Sequence, residues 1–153
     1  MSIRVGIDSS IIVKWFKKGE EHEKEALKLR DDTLSAIVNP ILSEWVYLEV
    51  VRALVKAKYP KAKIIQSYDT LKEMAELGFI MVIPVSSLLE KAKDLEIELN
   101  LYASDGVNLS AAVLNSRNML TEDRHLLQKS VKSFMEKLGL KISRLDEFYP
   151  ALQ

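Results

Sequence analysis

The chain has 153 residues, with 22 Lys and Arg balanced by 22 Asp and Glu, and no cysteine. That length favours one domain, residues 1–153, with a sizeable core, and the missing cysteines exclude disulfides, thiolate nucleophiles and zinc-thiolate sites. Zero net charge leaves nucleic-acid or membrane binding to a local patch, while the lack of a membrane-length apolar stretch or signal-peptide pattern points to a soluble cytoplasmic protein.

Short β-like runs alternate with longer helical ones. Arg4 to Ile7 reads as a buried strand that ends on a carboxylate, Asp8 of "VGIDSS". A cap or turn is one reading of that residue, and a functional site is the other. Glu20 to Arg30 reads as a helix with Ala26, Leu27 and Leu29 inward, and Ser35 to Val38 as a second strand. Asn39 followed by Pro40 carries an N-cap and first-position signal, predicting a helix from Pro40 to about Lys58. Another helix follows Pro60 and stops at Gly78. Ile80 to Val85 is a third strand, and Ser87 with Glu90 predicts a capping box ahead of "KAKDLEIEL". Ser104 to Arg117 is helical, Asn118 to Thr121 a strand, Arg124 to Leu138 a helix ended by Gly139, and Lys141 to Arg144 the last strand. This alternation predicts an α/β fold with a parallel sheet covered on both faces. Sites in such sheets lie beyond the carboxyl ends of the strands, where Asp8 and "TED" (residues 121–123) both fall.

Four acids draw attention. Glu49 sits in a helix that is apolar nearly all round, where a carboxylate is costly unless paired or metal-bound. Arg52, three residues on, offers a structural pairing. Glu44 comes five residues earlier, which turns it about 140° away from Glu49, and the helix dipole suffices to explain it. Asp105 in "YASDGVNLSAAV" and Asp123 in "NMLTEDRHLL" each read singly as a cap or dipole residue. Taken together, Asp8, Glu49, Asp105 and Asp123 gather near one end of the inferred sheet. Four carboxylates without a counter-charge repel one another, and hard divalent cations such as Mg²⁺ or Mn²⁺ are the natural remedy.

"VGIDSSIIVKWF", "LEVVRALVK", "YASDGVNLSAA" and "NMLTEDRHLL" resemble, in order and spacing, the signature blocks of PIN-domain proteins over nearly the whole chain. The resemblance implies a three-layer α/β/α sandwich around a central parallel sheet of four or five strands, and a metal-dependent nuclease site. Members of this size are often VapC-like toxins, which cut RNA and are silenced by a VapB-like antitoxin; a homodimer is implied as well. By position, Asp8, Glu49, Asp105 and Asp123 match the family's acids. Asp8, Glu49 and Asp105 then hold the main Mg²⁺ or Mn²⁺, and Asp123 holds a second ion or orients a water. Ser10 and Thr121 match hydroxyl residues that support the site. Two departures stand out. Gly106 replaces the alanine that commonly follows the third aspartate, loosening that helix start, and Glu122 adjoins Asp123, with the spacing favouring Asp123.

Phosphate contacts need positive charge near the acids, and Arg52, Lys56 and Lys14 are candidates, with Lys17, Lys18, Lys58, Lys61 and Lys63 nearby. Solvated helix surface is the alternative for these. Trp15, Phe16, Trp45 and Tyr47 read as base-stacking or interface residues, or as core. His125 is close to Asp123 and His22 lacks a metal-protease spacing. A receiver domain would want an acidic pair after the first strand, and a haloacid dehalogenase-type phosphatase a second Asp where Ser10 stands. No Gly-rich phosphate loop or G-x-S-x-G elbow occurs. The readings left are a toxin ribonuclease, an RNA-processing nuclease, and an idle scaffold or RNA-binding module.

Overall fold

The first strand is set by alternation. Val5 and Ile7 are buried in one core cluster, while a Cβ built on Gly6 would stand 2.6 Å from Ala112 Cβ on the other side. Only glycine lets a helix approach the sheet that closely. The computed structural model describes residues 1–150, so the last three residues of the expected domain lie outside the described residues. Among those described are five strands: β1 (Ile3–Ile7), β2 (Val38–Ser43), β3 (Met81–Ile83), β4 (Met119–Leu120) and β5 (Ile142–Ser143). They form one all-parallel sheet in the order β3-β2-β1-β4-β5.

Eight α-helices accompany them: α1 (Ser9–Ile12), α2 (Glu23–Leu34), α3 (Trp45–Lys56), α4 (Lys61–Glu76), α5 (Leu89–Leu99), α6 (Ala103–Leu114), α7 (Lys129–Lys137) and α8 (Leu145–Phe148). Val5, Ile7, Val38, Leu42 and Leu120 pack with residues of α1 to α4 and with Leu145. Met119 and Ile142 pack with Leu95, Leu109, Ala112, Val131 and Met135 of α5, α6 and α7. Successive strand residues point to opposite faces, so one sheet serves both clusters and the architecture is the expected three-layer α/β/α sandwich. None of these helices is long and apolar enough to cross a membrane.

The segment around Pro40 corrects the sequence reading. Asn39 and Pro40 lie inside β2, with Pro40 opposite Val5, and the helix begins only at Trp45. Ile41, Leu42 and Ser43 are the residues that pair with β3. Pro40 therefore precedes the β2–β3 ladder, which its missing N–H does not interrupt. Asn39 caps no helix; its Nδ2 donates to the carbonyls of Gly78 and Phe79 at 3.3 and 2.9 Å. Residues 35–37 are not strand, because α2 runs on to Leu34. The expected Ser87–Glu90 capping box is absent too. Leu88 is the N-cap of α5, and Glu90 accepts from Lys93 Nζ at 2.8 Å. The last helix before β5 starts at Lys129 instead of Arg124. Gly78 and Gly139 end their helices as expected, at φ 83° and 73°.

Candidate functional site

The strand order reverses at β1: the chain moves to β2 and β3 on one side and returns to β4 and β5 on the other. A crevice opens beyond the carboxyl ends at such a point. The β1–β4 register pairs Ile7 with Leu120, so Asp8 and Thr121 leave the sheet side by side. Asp8 is 2 % exposed. Its Oδ2 accepts from Thr121 Oγ1 at 2.7 Å, and its Oδ1 from Ser10 Oγ at 2.5 Å and Ser10 N–H at 3.2 Å. The last contact makes Asp8 the N-cap of α1, so the capping reading holds, yet the carboxylate also faces other acids. Burial pushes its pKa from 3.8 up to about 7 against the pull of the Ser10 and Thr121 hydroxyls, and the charges of Asp123 and Glu49 add to the rise.

Glu49 projects from α3, which buries Val46, Val50 and Leu54. Its Oε1 accepts from Asn108 Nδ2 at 2.8 Å, and the Ser9 hydroxyl is a second partner. Among the described residues it makes no ion pair with Arg52, which is exposed. Burial, then the charges of Asp105 and Asp123, raise its pKa. Glu44 is engaged elsewhere: it accepts from the Val85 N–H at 2.8 Å, fastening the start of α3 to the segment after β3. That bond adds to the helix-dipole stabilisation of an acid at the N-cap of α3.

Asp105 is the third residue of α6 and 7 % exposed. Burial and then the charge of Asp123 raise its pKa from 3.8 to about 6, with His125 pulling the other way. The helix runs unbroken through Gly106. That glycine does not loosen the start; a Cβ there would stand 2.9 Å from Glu96 Cγ and 3.1 Å from the Ala92 carbonyl, so it admits the close approach of α5. Asp123 Oδ1 accepts from the N–H groups of His125 and Leu126 at 2.7 and 3.3 Å. Its own N–H donates to Thr121 Oγ1 at 3.0 Å. Glu122 has a different task, accepting from Arg144 Nη2 and the Leu145 N–H, both at 3.1 Å.

Four acids from β1, α3, α6 and the loop after β4 thus act on one another electrostatically, with Asp123 coupled to the other three. The grouping is open. Among the described residues no three His, Asp or Glu side chains stand in ready-made metal-cage geometry. The donors are carboxylate oxygens flanked by hydroxyls, a set that fits a hard divalent cation better than a soft one.

Glu49 also borders two clefts. One, about 450 Å³, is lined by Ser9, Trp45, Leu48, Arg52 and Lys56; the other, about 530 Å³, by Trp45, Val85, Ala103, Ser104 and Val107. Arg52 and Lys56 are therefore on the rim of the first cleft, beside Glu49. Lys14 is not: it is buried, and its Nζ donates to the Glu21 carbonyl at 2.6 Å. Trp15 and Tyr47 are core, Phe16 packs against it, and Trp45 is 43 % exposed. His125 meets Tyr102 edge-to-face at 5.0 Å on the Asp105 side. The sequence reading missed Ser9, Ser43 and Asn108. The last had one visible signal, an amide three residues after Asp105 on a helix face otherwise made of Leu109 and Ala112.

The sequence pattern of the PIN domain matches residues 5–132. A chain of a toxin-antitoxin complex from Klebsiella pneumoniae has a similar fold, with a TM-score of 0.56 and 19% identity over 84% of this chain and 92% of that one. FitAcB from Neisseria gonorrhoeae is similar at a TM-score of 0.53 and 14% identity, over 94% and 98% of the two chains. No curated protein matches by sequence. With the family pattern spanning most of the chain, and the parallel sheet and three layers described above consistent with it, the chain belongs to the PIN domain family.

Proposed function

We propose that this protein is a divalent-metal-dependent endoribonuclease that hydrolyses RNA phosphodiester bonds, and that it acts as the toxin of a VapBC-type pair. The observation that carries the catalytic reading is the mutual influence of Asp8, Glu49, Asp105 and Asp123, four acids brought from distant parts of the chain to the switch point of the sheet. Burial of like charges opposes folding and is tolerated at sites where function requires it. The toxin reading draws on PIN family membership and on the likeness to a chain of a toxin-antitoxin complex. It brings with it a VapB-like antitoxin, a homodimer and a cytoplasmic location.

In this reading Asp8, Glu49 and Asp105 would hold Mg²⁺ or Mn²⁺, and Asp123 would hold a second ion or orient a water. The ion supplies a lowered water pKa and charge to offset the transition state. Ser10 and Thr121 keep both oxygens of Asp8 fixed through their hydroxyl donors. Arg52 and Lys56, beside Glu49, take phosphates flanking the scissile bond. No side-chain base is required, which suits the loop-surface position of His125.

The test is RNA cleavage by the purified protein with Mg²⁺, Mn²⁺ or EDTA, alongside Mn²⁺ titration by calorimetry. Cleavage is expected only with metal, and Glu49→Gln and Asp105→Asn are expected to lower it by on the order of 100-fold or more. Metal-independent cleavage would overturn the mechanism. A chain that binds no Mn²⁺ at millimolar levels is a scaffold, and cleavage unaffected by any small partner encoded beside it points to housekeeping RNA processing.

A further inference from the structure

Asn108 lies in α6 with 3 % of its surface exposed and both ends of its amide engaged. Nδ2 donates to Glu49 Oε1 at 2.8 Å, and Oδ1 accepts from Ser43 Oγ at 2.7 Å. The two partners demand the same amide orientation. A hydroxyl can donate to the amide oxygen, whereas an ionised carboxylate accepts only from the N–H side. Ser43 is fully buried and is the last residue of β2, where it pairs with Ile83 of β3. The amide is therefore braced against the sheet.

Asn108 also follows Asp105 by three residues, which places both on one face of α6, and α6 packs against α3. A single side chain thus ties Glu49 on α3 to the helix that carries Asp105. We propose that Asn108 is a positioning residue of the acid centre: braced by Ser43, it fixes Oε1 of Glu49 and, together with the Ser9 hydroxyl, sets the orientation in which that carboxylate would join Asp105 in holding a divalent ion. This rests on the metal-dependent reading above.

The experiment compares the wild-type chain, Asn108→Ala, Ser43→Ala and the double variant by Mn²⁺ calorimetry well below each melting temperature, with melting curves and RNA cleavage against Mn²⁺ concentration. Asn108→Ala is expected to weaken Mn²⁺ binding about 10-fold or more, the usual effect of removing a group that orients a metal-binding side chain. Ser43→Ala acts in the same direction but less. The double variant binds no more weakly than Asn108→Ala, because the hydroxyl works only through the amide. Cleavage by Asn108→Ala returns when Mn²⁺ is raised, at a temperature where its metal-free melting curve already shows it folded, so that the rescue reads occupancy of the site and not refolding by the bound ion. Wild-type Mn²⁺ affinity in Asn108→Ala, whatever its melting temperature, overturns the proposal, as do additive losses in the double variant. Should Asn108→Ala not fold, Ser43→Ala decides, and wild-type affinity there is refuting. Failure of the wild-type chain itself to bind Mn²⁺ sinks the nuclease reading instead.

Discussion

Replacing Asp8 by Asn removes one negative charge from the most buried acid of the centre while keeping its shape. Asp8 ionises with a pKa near 3.8 in the unfolded chain and about 7 in the folded one. Below pH 3.8 the group is protonated in both states and has no effect. Between those values the unfolded chain releases the proton and the folded chain keeps it, so stability falls as pH rises, until the loss is complete above the folded pKa. At about 1.4 kcal/mol per pH unit the whole penalty is about 4 kcal/mol, of which about 3 kcal/mol accrues between pH 5 and pH 8. The amide variant lacks that slope. It does pay a constant cost, since its Nδ2 meets Thr121 Oγ1, which now donates to Asp8 Oδ2. The constant cancels when two pH values are compared. In EDTA, the stability of Asp8→Asn relative to wild type is expected to grow by about 3 kcal/mol from pH 5 to pH 8, or about 6–12 °C in melting temperature for a chain of this size. The same variant is expected to lose RNA cleavage. Parallel melting curves for the two proteins across that pH range would refute the burial and repulsion assigned to this carboxylate.

Three further outcomes follow from particular contacts. Gly6→Ala forces a methyl to within 2.6 Å of Ala112 Cβ and should cost about 1–3 kcal/mol of stability in urea unfolding as α6 lifts off the sheet. Tyr149→Phe removes the hydroxyl that donates to Asp32 Oδ2 at 2.6 Å, joining the C-cap of α8 to α2; a loss of about 1.5–3 kcal/mol is expected, since the acceptor is charged, and an unchanged denaturation midpoint would contradict that role. Arg52→Ala and Lys56→Ala should each weaken RNA binding and reduce the slope of log affinity against log salt by about 0.7, the single-strand value per phosphate contact, whereas Lys14→Ala should leave the slope alone.

The sheet and the four acids were legible because both follow from local pattern plus one topological rule. Val5 and Ile7, Met119 and Leu120 are short apolar runs between helices, and in a parallel sheet the residues that follow such runs all emerge at one edge. Glu49 could be singled out since Val50, Leu54 and Val46 left it no polar face. The Asn39–Pro40 signal misled because it is a statement about the local chain. Burial of Ile41, Leu42 and Ser43 between β1 and β3 depends on partners that no window around residue 40 contains. Lys14 failed for a similar reason: its acceptor is a backbone carbonyl, that of Glu21, and carbonyls leave no trace in a sequence. Asn108 was hidden by its neighbours. An amide among Leu109, Ala111 and Ala112 is visible in the sequence as an oddity, but its role shows only once Ser43 and Glu49 are known to meet it from two other elements.

The pairing of β1 with β4 has a consequence for how the molecule is made. Residues 3–7 wait for residues 119–120 to arrive before their second edge is covered, and Thr121 arrives in the same stretch as Asp123. A chain still emerging from the ribosome carries Asp8, Glu49 and even Asp105 without the partner hydroxyl that steadies the first or the loop acid that faces all three. Assembly of the four-acid centre is therefore one of the last events of synthesis, and a partly translated copy holds Asp8 with one edge of β1 still open.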